Sequence, residues 1–315
     1  SSDFEESAIY DYFAGHHFIF IIYRHVGKDV IFEGFKRIFF DEEFIMGNIG
    51  DTSEELNMFN EYTDKLTSYV YELKQRAGSK GLENFVELRG IPMEEVIASD
   101  IFYIDDATEM LLPRYLGDIE DFGVISPTNK KPIFHNRYVM PIKDIDGRIL
   151  NLVGYSKTAD ERYVYGTAKY YRRRETMYGL ENLRLAYERG YAIVTEGITD
   201  TIRVRSLGDN YKGCFAMCGT HNSDFIMKQL NRCRYGVIKI PDRDAPGKRA
   251  SKKWKCYRSV TLNTFVAYKD IDEMCADSQN NIEVVKESLD ACIDWIRSKE
   301  HHGMNCENEE ATMYV

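Results

Sequence analysis

The spacing of apolar positions changes character along this chain. Over 56–86 they fall at Leu56, Phe59, Tyr62, Leu66, Val70 and Leu73, near helical spacing, which predicts a helix or helical pair with one packed face. Gly78-Ser79-Lys80-Gly81 breaks it. Ahead of it, 14–39 mixes aromatic and charged residues as a hairpin or small sheet would. Ile91-Pro92-Met93-Glu94-Glu95 opens another helix, with Pro in the first turn and acids following. The stretch 118–131 is polar and turn-rich, so it reads as a loop. After it the pattern shortens to strand length. Two runs, 138–142 and 149–155, flank Asp146-Gly147, a hairpin signal. The runs 191–195, 214–217 and 235–240 are short and apolar, as buried strands are, and a helix over 180–189 leads into the first. Ile282, Val285, Leu289, Ile293 and Trp295 mark an amphipathic, docked helix over 281–297, and the polar tail past 301 is expected to be loose. Strands alternating with helices place the second half in the α/β class.

Three of these runs end in acids. The run 191–195 reaches Glu196-Gly197, with Asp200 about one helical turn on. The run 235–240 stops at Pro241 and delivers Asp242 and Asp244, then Pro246-Gly247 and the basic segment Lys248, Arg249, Lys252, Lys253. The stretch 264–273 is expected as a third strand with Asp270 and Asp272 at its end. Acids at the carboxyl ends of strands, followed by a Gly turn and a helix, are how open α/β sheets build sites. Aspartates two residues apart repel, and both stay ionised readily only with a cation between them. Six pooled carboxylates suit a two-metal phosphoryl-transfer site. Any one stretch alone also has the composition of a solvated turn.

A basic, Tyr-rich stretch precedes the acids. Lys157, Arg162, Lys169, Arg172, Arg173 and Arg174 interleave with Tyr163, Tyr165, Tyr170 and Tyr171. Bases attract phosphates, and tyrosine faces stack nucleobases at about 1–3 kcal/mol each. The competing picture is an exposed basic loop with partly buried tyrosines.

Together these motifs resemble a known family. Glu196-Gly-x-x-Asp200, Asp242-x-Asp244-x-x-Gly247 and Lys269-Asp270-Ile-Asp272-Glu273 look like the TOPRIM domain of primases and topoisomerases. The segment from Phe134-His-Asn-Arg137 through Gly154-Tyr-Ser-Lys157, then Arg162-Tyr-Val-Tyr and Met177-Tyr178-Gly179-Leu180, resembles the run before TOPRIM in bacterial and phage-type (DnaG-like) primases. The likeness spans roughly 85–275.

It implies a TOPRIM core with a mostly parallel, Rossmann-like sheet, preceded by a mixed α+β subdomain and a partly helical N-terminal region. The domains would be 1–88, of unclear role; 89–190, the primase-type subdomain; 191–275, TOPRIM; and 276–315, a C-terminal helix and tail. The implied activity is DNA-templated synthesis of RNA primers from ribonucleoside triphosphates on single-stranded DNA. Glu196, Asp242 and Asp244 would hold Mg²⁺ or Mn²⁺ and carry the reaction, with Asp200, Asp270 and Asp272 as supporting or alternate ligands. Arg137, Lys157, Arg162, Arg172 and Arg173 would bind nucleotide or template phosphates, joined by backbone N–H groups at Gly219-Thr220. Arg162 and Arg173 stand where the family often has Lys, Pro246 where a small residue is usual, and Ile198 where an aromatic is common. A TOPRIM nuclease, or a non-catalytic nucleic-acid-binding module, would use the same motifs. A topoisomerase would need a further large domain carrying a nucleophilic tyrosine.

Charge and cysteine content sharpen this picture. The net charge of −10 is uneven: up to Asp121 there are 26 acids against 10 bases, and beyond it 25 against 31. Nucleic-acid binding needs a local basic surface, not a basic average. The acidic first third serves solubility or a partner. Seven scattered cysteines without a Cys-x-x-Cys pair read as reduced cytosolic thiols, and no zinc site is assigned. No apolar run approaches the roughly 20 residues of a membrane span. The expected setting is the bacterial cytoplasm, with a phage origin and a replicative helicase partner as further options. The tail past 301 is too short for the helicase-binding domain that many family members carry.

Overall fold

The computed structural model describes residues 12–14, 17–26, 29–38, 53–217, 224–243, 254, 256–298 and 309–314. The chain divides into two compact units, 1–58 and 59–315. In the first, strands β1 (Tyr12–Ala14), β2 (His17–Val26) and β3 (Asp29–Ile38) form an antiparallel meander, with a register irregularity at Ile22/Tyr23. This is the small sheet expected near 14–39.

The second unit begins within helix α1 (Ser53–Ala77). Gly78 and Gly81 both take positive φ, ending α1 and admitting α2 (Leu82–Arg89). A Cβ on Gly81 would meet the Tyr103 side chain at 2.8 Å, so this break needs glycine for space as well as φ. Gly90, again left-handed, ends α2 ahead of α3 (Met93–Ala98).

An antiparallel sheet follows in the order β4 (Phe102–Ile104), β5 (Arg137–Lys143), β6 (Ile149–Tyr155), β7 (Tyr163–Tyr165). Its period-2 alternation supplies two cores. Val139, Ile149 and Leu152 pack with Leu66, Tyr69, Val70 and Leu73 of α1. Met140, Ile142, Val153 and Tyr155 pack with Leu82, Phe85, Ile91 and Val96, and also with Ile198 and Ile202 further along the chain. Helix α1 is therefore packed onto this sheet.

After helix α4 (Leu183–Arg189) comes the parallel sheet. Its order is β12 (Glu309–Tyr314), β11 (Arg258–Asn263), β10 (Gly236–Ile240), β8 (Tyr191–Thr195), β9 (Cys214–Ala216). Every pairing in it is parallel. Strands β8, β9 and β10 are buried along their whole lengths, which is why they read as continuous apolar runs. Helices α5 (Ile198–Ser206), α6 (Asp224–Leu230), α7 (Ile271–Asp277) and α8 (Gln279–Ser298) complete the described elements. Val285, Leu289, Cys292, Ile293 and Ile296 of α8 share a core with Ile238, Ile240, Val260 and Leu262.

Two expectations need correction. The third acid-bearing strand ends at Asn263, and 264–269 is irregular, so Asp270 caps α7 and Asp272 lies inside it. The β-branched Thr264 and Val266 that suggested a strand lie just past the end of β11. The tail is also not wholly loose, since 309–314 pairs with β11 along six residues. Polar Glu309 and Glu310 hid this strand from a hydrophobicity reading, because an edge strand can be held by backbone pairing. No helix among the described residues is long and apolar enough to cross a membrane. The described cysteines at 214, 233, 256, 275 and 292 are buried, with no disulfide among them. Burial pushes the Cys214 thiol up to about 12, so it stays protonated.

Candidate active site

Strand β8 has β9 on one side and β10 on the other, so the chain reverses its direction of growth there. In an open α/β sheet the crevice at such a switch point, outside the carboxyl ends, is where ligands sit. Thr195 pairs with Ile240 in the last register of β8 and β10. Glu196 follows the first by one residue and Asp242 the second by two, so both carboxylates leave the sheet at this crevice. Their side chains are partly buried.

Gly197 explains part of the motif. A Cβ there would meet Asp200 Oδ2 at 2.2 Å, so only glycine lets the Asp200 carboxylate fold back over the start of α5. Asp200 is 6% exposed and its Oδ1 accepts the Asp272 N–H at 3.2 Å. Burial first, then the nearby charges of Asp270, Asp242 and Asp272, hold the Asp200 carboxyl well above the usual carboxylate range. These acids therefore feel one another across three elements.

Each neighbour has its own anchor. Asp242 Oδ2 lies 3.0 Å from Lys269 Nζ. Asp270 caps α7, its Oδ1 accepting the Glu273 N–H at 2.8 Å. Asp272 is 3% exposed and pairs on both oxygens, with Arg203 Nε at 3.0 Å and Arg89 Nη1 at 2.9 Å. Burial pushes the Asp272 carboxyl up, against the pull of these two guanidiniums. Asp244, Gly219 and Thr220 lie outside the described residues.

Acids and a basic wall line one cavity. It measures about 600 Å³ and has Asp270, Asp272, Lys269, Arg89, Lys157 and Arg162 in its lining. Lys157, Arg162, Arg172 and Arg173 are exposed. Arg173 lies 3.8 Å over the Tyr165 ring. Arg137 is tied to the backbone: its Nη1 donates to Glu161 O at 3.0 Å and Arg162 O at 3.2 Å, pinning the entry to β7.

The tyrosines of the basic stretch are spent within the protein. Tyr163 packs on Tyr155 and its hydroxyl meets Thr199 Oγ1 at 2.9 Å, tying β7 to the first turn of α5 beside Asp200. Tyr170 packs edge-on against Phe59 and Tyr62, and Lys169 pairs with Asp121 at 2.9 Å. Tyr165 and Tyr171 are partly buried against the core. The stacking track expected from the sequence is thus a basic face on a tyrosine foundation. Aromatic residues beside bases look alike in sequence whether they face ligand or core.

Sequence reasoning missed Arg89, Arg203 and Lys269 as partners of the acids. The available signal was two arginines, Arg203 and Arg205, on a helix otherwise destined for burial. Arg205 is likewise buried, donating to Cys214 O at 2.7 Å and Gly179 O at 3.2 Å.

Among the described residues, no three His, Cys, Asp or Glu side chains already converge as a metal cage. The donors at the strand ends are nevertheless all carboxylates. Hard oxygens suit Mg²⁺ or Mn²⁺, and the repulsion that lifts Asp200 is what a divalent cation offsets.

A parallel sheet with acids at its switch point, coupled to an antiparallel subdomain with a basic face, defines a TOPRIM-type α/β core. The particular fold is that of the DnaG primase catalytic core. The *Aquifex aeolicus* primase, in a structure of its zinc-binding and RNA polymerase domains, aligns at TM-score 0.62 with 22% identity, over 74% of this chain and 61% of that one. A DnaG catalytic domain bound to single-stranded DNA aligns at 0.60 with 17% identity, over 77% and 84%. The RNA polymerase domain of *Mycobacterium tuberculosis* DnaG aligns at 0.58 with 16% identity, over 76% and 83%. In sequence, a curated DNA primase of *Aquifex aeolicus* (strain VF5) is 28% identical over 60% of this chain, which spans 39% of that primase's length. No protein-family model matches the chain.

Proposed function

We propose that this chain is the catalytic core of a DNA primase, joining ribonucleoside triphosphates on a single-stranded DNA template during replication. The observation that carries this reading is the cavity lined by Asp270, Lys269, Lys157, Arg162 and Arg89, with Lys269 paired to Asp242 at the switch point. Metal-dependent phosphoryl transfer needs that pairing: carboxylates to hold cations and bases to hold phosphates.

Glu196, Asp242 and Asp244 would hold Mg²⁺ or Mn²⁺, with Asp200 and Asp270 beside them. Such ions, when bound, acidify an attacking hydroxyl and neutralise charge on a triphosphate. The chain's own contributions are placement and charge. Asp200, its carboxyl held high by burial and then by its acidic neighbours, would ionise more readily with a cation beside it. Lys269 holds Asp242 in place at the crevice. Arg162 and Lys157 offer exposed charge to the triphosphate or template, and Arg137 fixes the backbone that presents Arg162. Glu196 would take a proton from a reacting hydroxyl. Support for a single-stranded template comes from the DNA-bound DnaG domain of the same fold. A bacterial or phage cytoplasmic setting and a replicative helicase partner extend the same reading.

The test is direct. Incubation with single-stranded DNA, labelled ribonucleotides and Mg²⁺ or Mn²⁺ is expected to yield new short RNA. Shortened DNA without new RNA would replace this reading with a nuclease, and neither product in any metal would leave a binding module.

A further inference from the structure

Arg203 lies in the middle of α5, one turn beyond Asp200, and is 1% exposed. Each of its three guanidinium nitrogens donates a hydrogen bond. Nε donates to Asp272 Oδ1 at 3.0 Å, Nη1 to Gly90 O at 2.8 Å, and Nη2 to Arg89 O. Arg89 then meets the other oxygen of Asp272 at 2.9 Å and lies 4.9 Å over the Tyr155 ring. Asp272 in turn donates its backbone N–H to Asp200 Oδ1. One buried arginine thus ties together α5, the α2–α3 corner and α7, three elements that meet beneath the acid edge.

This geometry separates Asp272 from the other acids. Its two oxygens are taken by guanidiniums that stay charged at any accessible pH. For a divalent cation to claim Asp272 it would have to leave Arg203 buried without its counter-ion, which is strongly unfavourable. What Asp272 offers the site is its N–H.

We propose that Arg203 is a positioning residue of the active site: it holds Asp272 as an internal counter-ion, so that Asp272 fixes Asp200 through its backbone and does not ligate metal. The part of this inference that concerns catalysis rests on the primase reading; the part that concerns metal does not.

The experiment is a Mn²⁺ titration of the full chain by electron paramagnetic resonance, with melting curves and primer-synthesis kinetics on the same proteins. Asp242→Asn is expected to weaken Mn²⁺ binding about tenfold or more, whereas Asp272→Asn, which keeps the N–H that serves Asp200, stays within about twofold of wild type. Arg203→Met is expected to lower kcat about 10–100-fold with the KM for nucleotide within about twofold, and Arg203→Lys to recover part of the loss. A tenfold loss of Mn²⁺ affinity in Asp272→Asn overturns the inference. So does an Arg203→Met protein with wild-type melting and kcat. If Arg203→Met does not fold, the Arg203→Lys kinetics and the Asp272→Asn titration decide. Should wild type make no RNA, the primase reading falls, and the titration and melting still decide the role of Asp272. Absence of Mn²⁺ binding by wild type overturns both.

Discussion

Two aspartates, half-buried Asp100 and buried Asp200, show how differently this protein treats negative charge. Asp100 follows α3 in the antiparallel subdomain, with φ of 54°, and its two oxygens accept from Lys74 and Lys143. Burial alone would raise its carboxyl, but the two lysines more than reverse this and hold it below the usual range. Nearby, Asp144 pairs with Arg148 and Asp146 with Arg184, each at 2.8 Å. Asp200 is more deeply buried, and the charges that weigh most on it are three other aspartates. Away from the cavity, Asp100, Asp144 and Asp146 are each given a cation of their own. An edge that leaves acids pooled is unfavourable for folding and useful for holding a divalent ion.

The largest effect that would sharpen this contrast is on activity. Asp242→Asn and Asp244→Asn each remove a charge that holds Mg²⁺, whose stabilisation of the reaction amounts to several kcal/mol, so primer synthesis should fall about 10³-fold. The metal-free proteins should melt no lower than wild type, since repulsion is relieved. Near-wild-type rates for either variant would remove these residues from the mechanism.

Stability comes next, and here the two aspartates should differ in sign. Asp100→Asn leaves Lys74 and Lys143 without their anion and should cost about 2–3 kcal/mol in urea unfolding, less than for full burial because the side chain keeps 20% exposure. Asp200→Asn retains an oxygen for the Asp272 N–H and loses the repulsion, so without metal it should be neutral or stabilising. Equal losses in both variants would break the comparison.

Smaller still is the pH dependence, again opposite in sign. Asp200 has a raised native pKa, so the native state binds more protons than the unfolded one, and its contribution improves as pH falls from neutral toward the ordinary carboxylate range. Asp100 has a depressed native pKa, so its contribution is present above about pH 4 and is lost as pH falls further. The gain in melting temperature of metal-free Asp200→Asn over wild type should therefore be larger at pH 8 than at pH 5. A gain that grows on acidification would contradict the assigned environment.

The smallest effect probes the basic wall. Arg162→Ala should lower the log–log salt slope of single-stranded DNA binding by about 0.7, as one lost phosphate contact does, with Mn²⁺ affinity unchanged. Arg137→Ala should act through folding of the β7 entry as well, since Arg137 spends bonds on Glu161 O and Arg162 O, and should lower the melting temperature where Arg162→Ala does not.

Much of the architecture was legible because it depends on local pattern. The helix break at Gly78–Gly81, the hairpin around Asp146-Gly147 and strands β8, β9 and β10 all follow from turn chemistry and apolar runs that survive without knowledge of partners. The acids Glu196 and Asp242 were legible for the same reason, since each stands where a buried strand must end. Tertiary structure alone decided what each charge faces. Asp270 and Asp272 share one motif, yet one caps a helix at the cavity and the other is locked between Arg89, 183 positions before it, and Arg203. Tyr163 and Tyr170 share one basic stretch, yet they anchor different elements. Periodicity reports which side of an element is buried, because burial is a property of one element against solvent. Ion pairing depends on distances between elements far apart in the chain, and no local pattern encodes those.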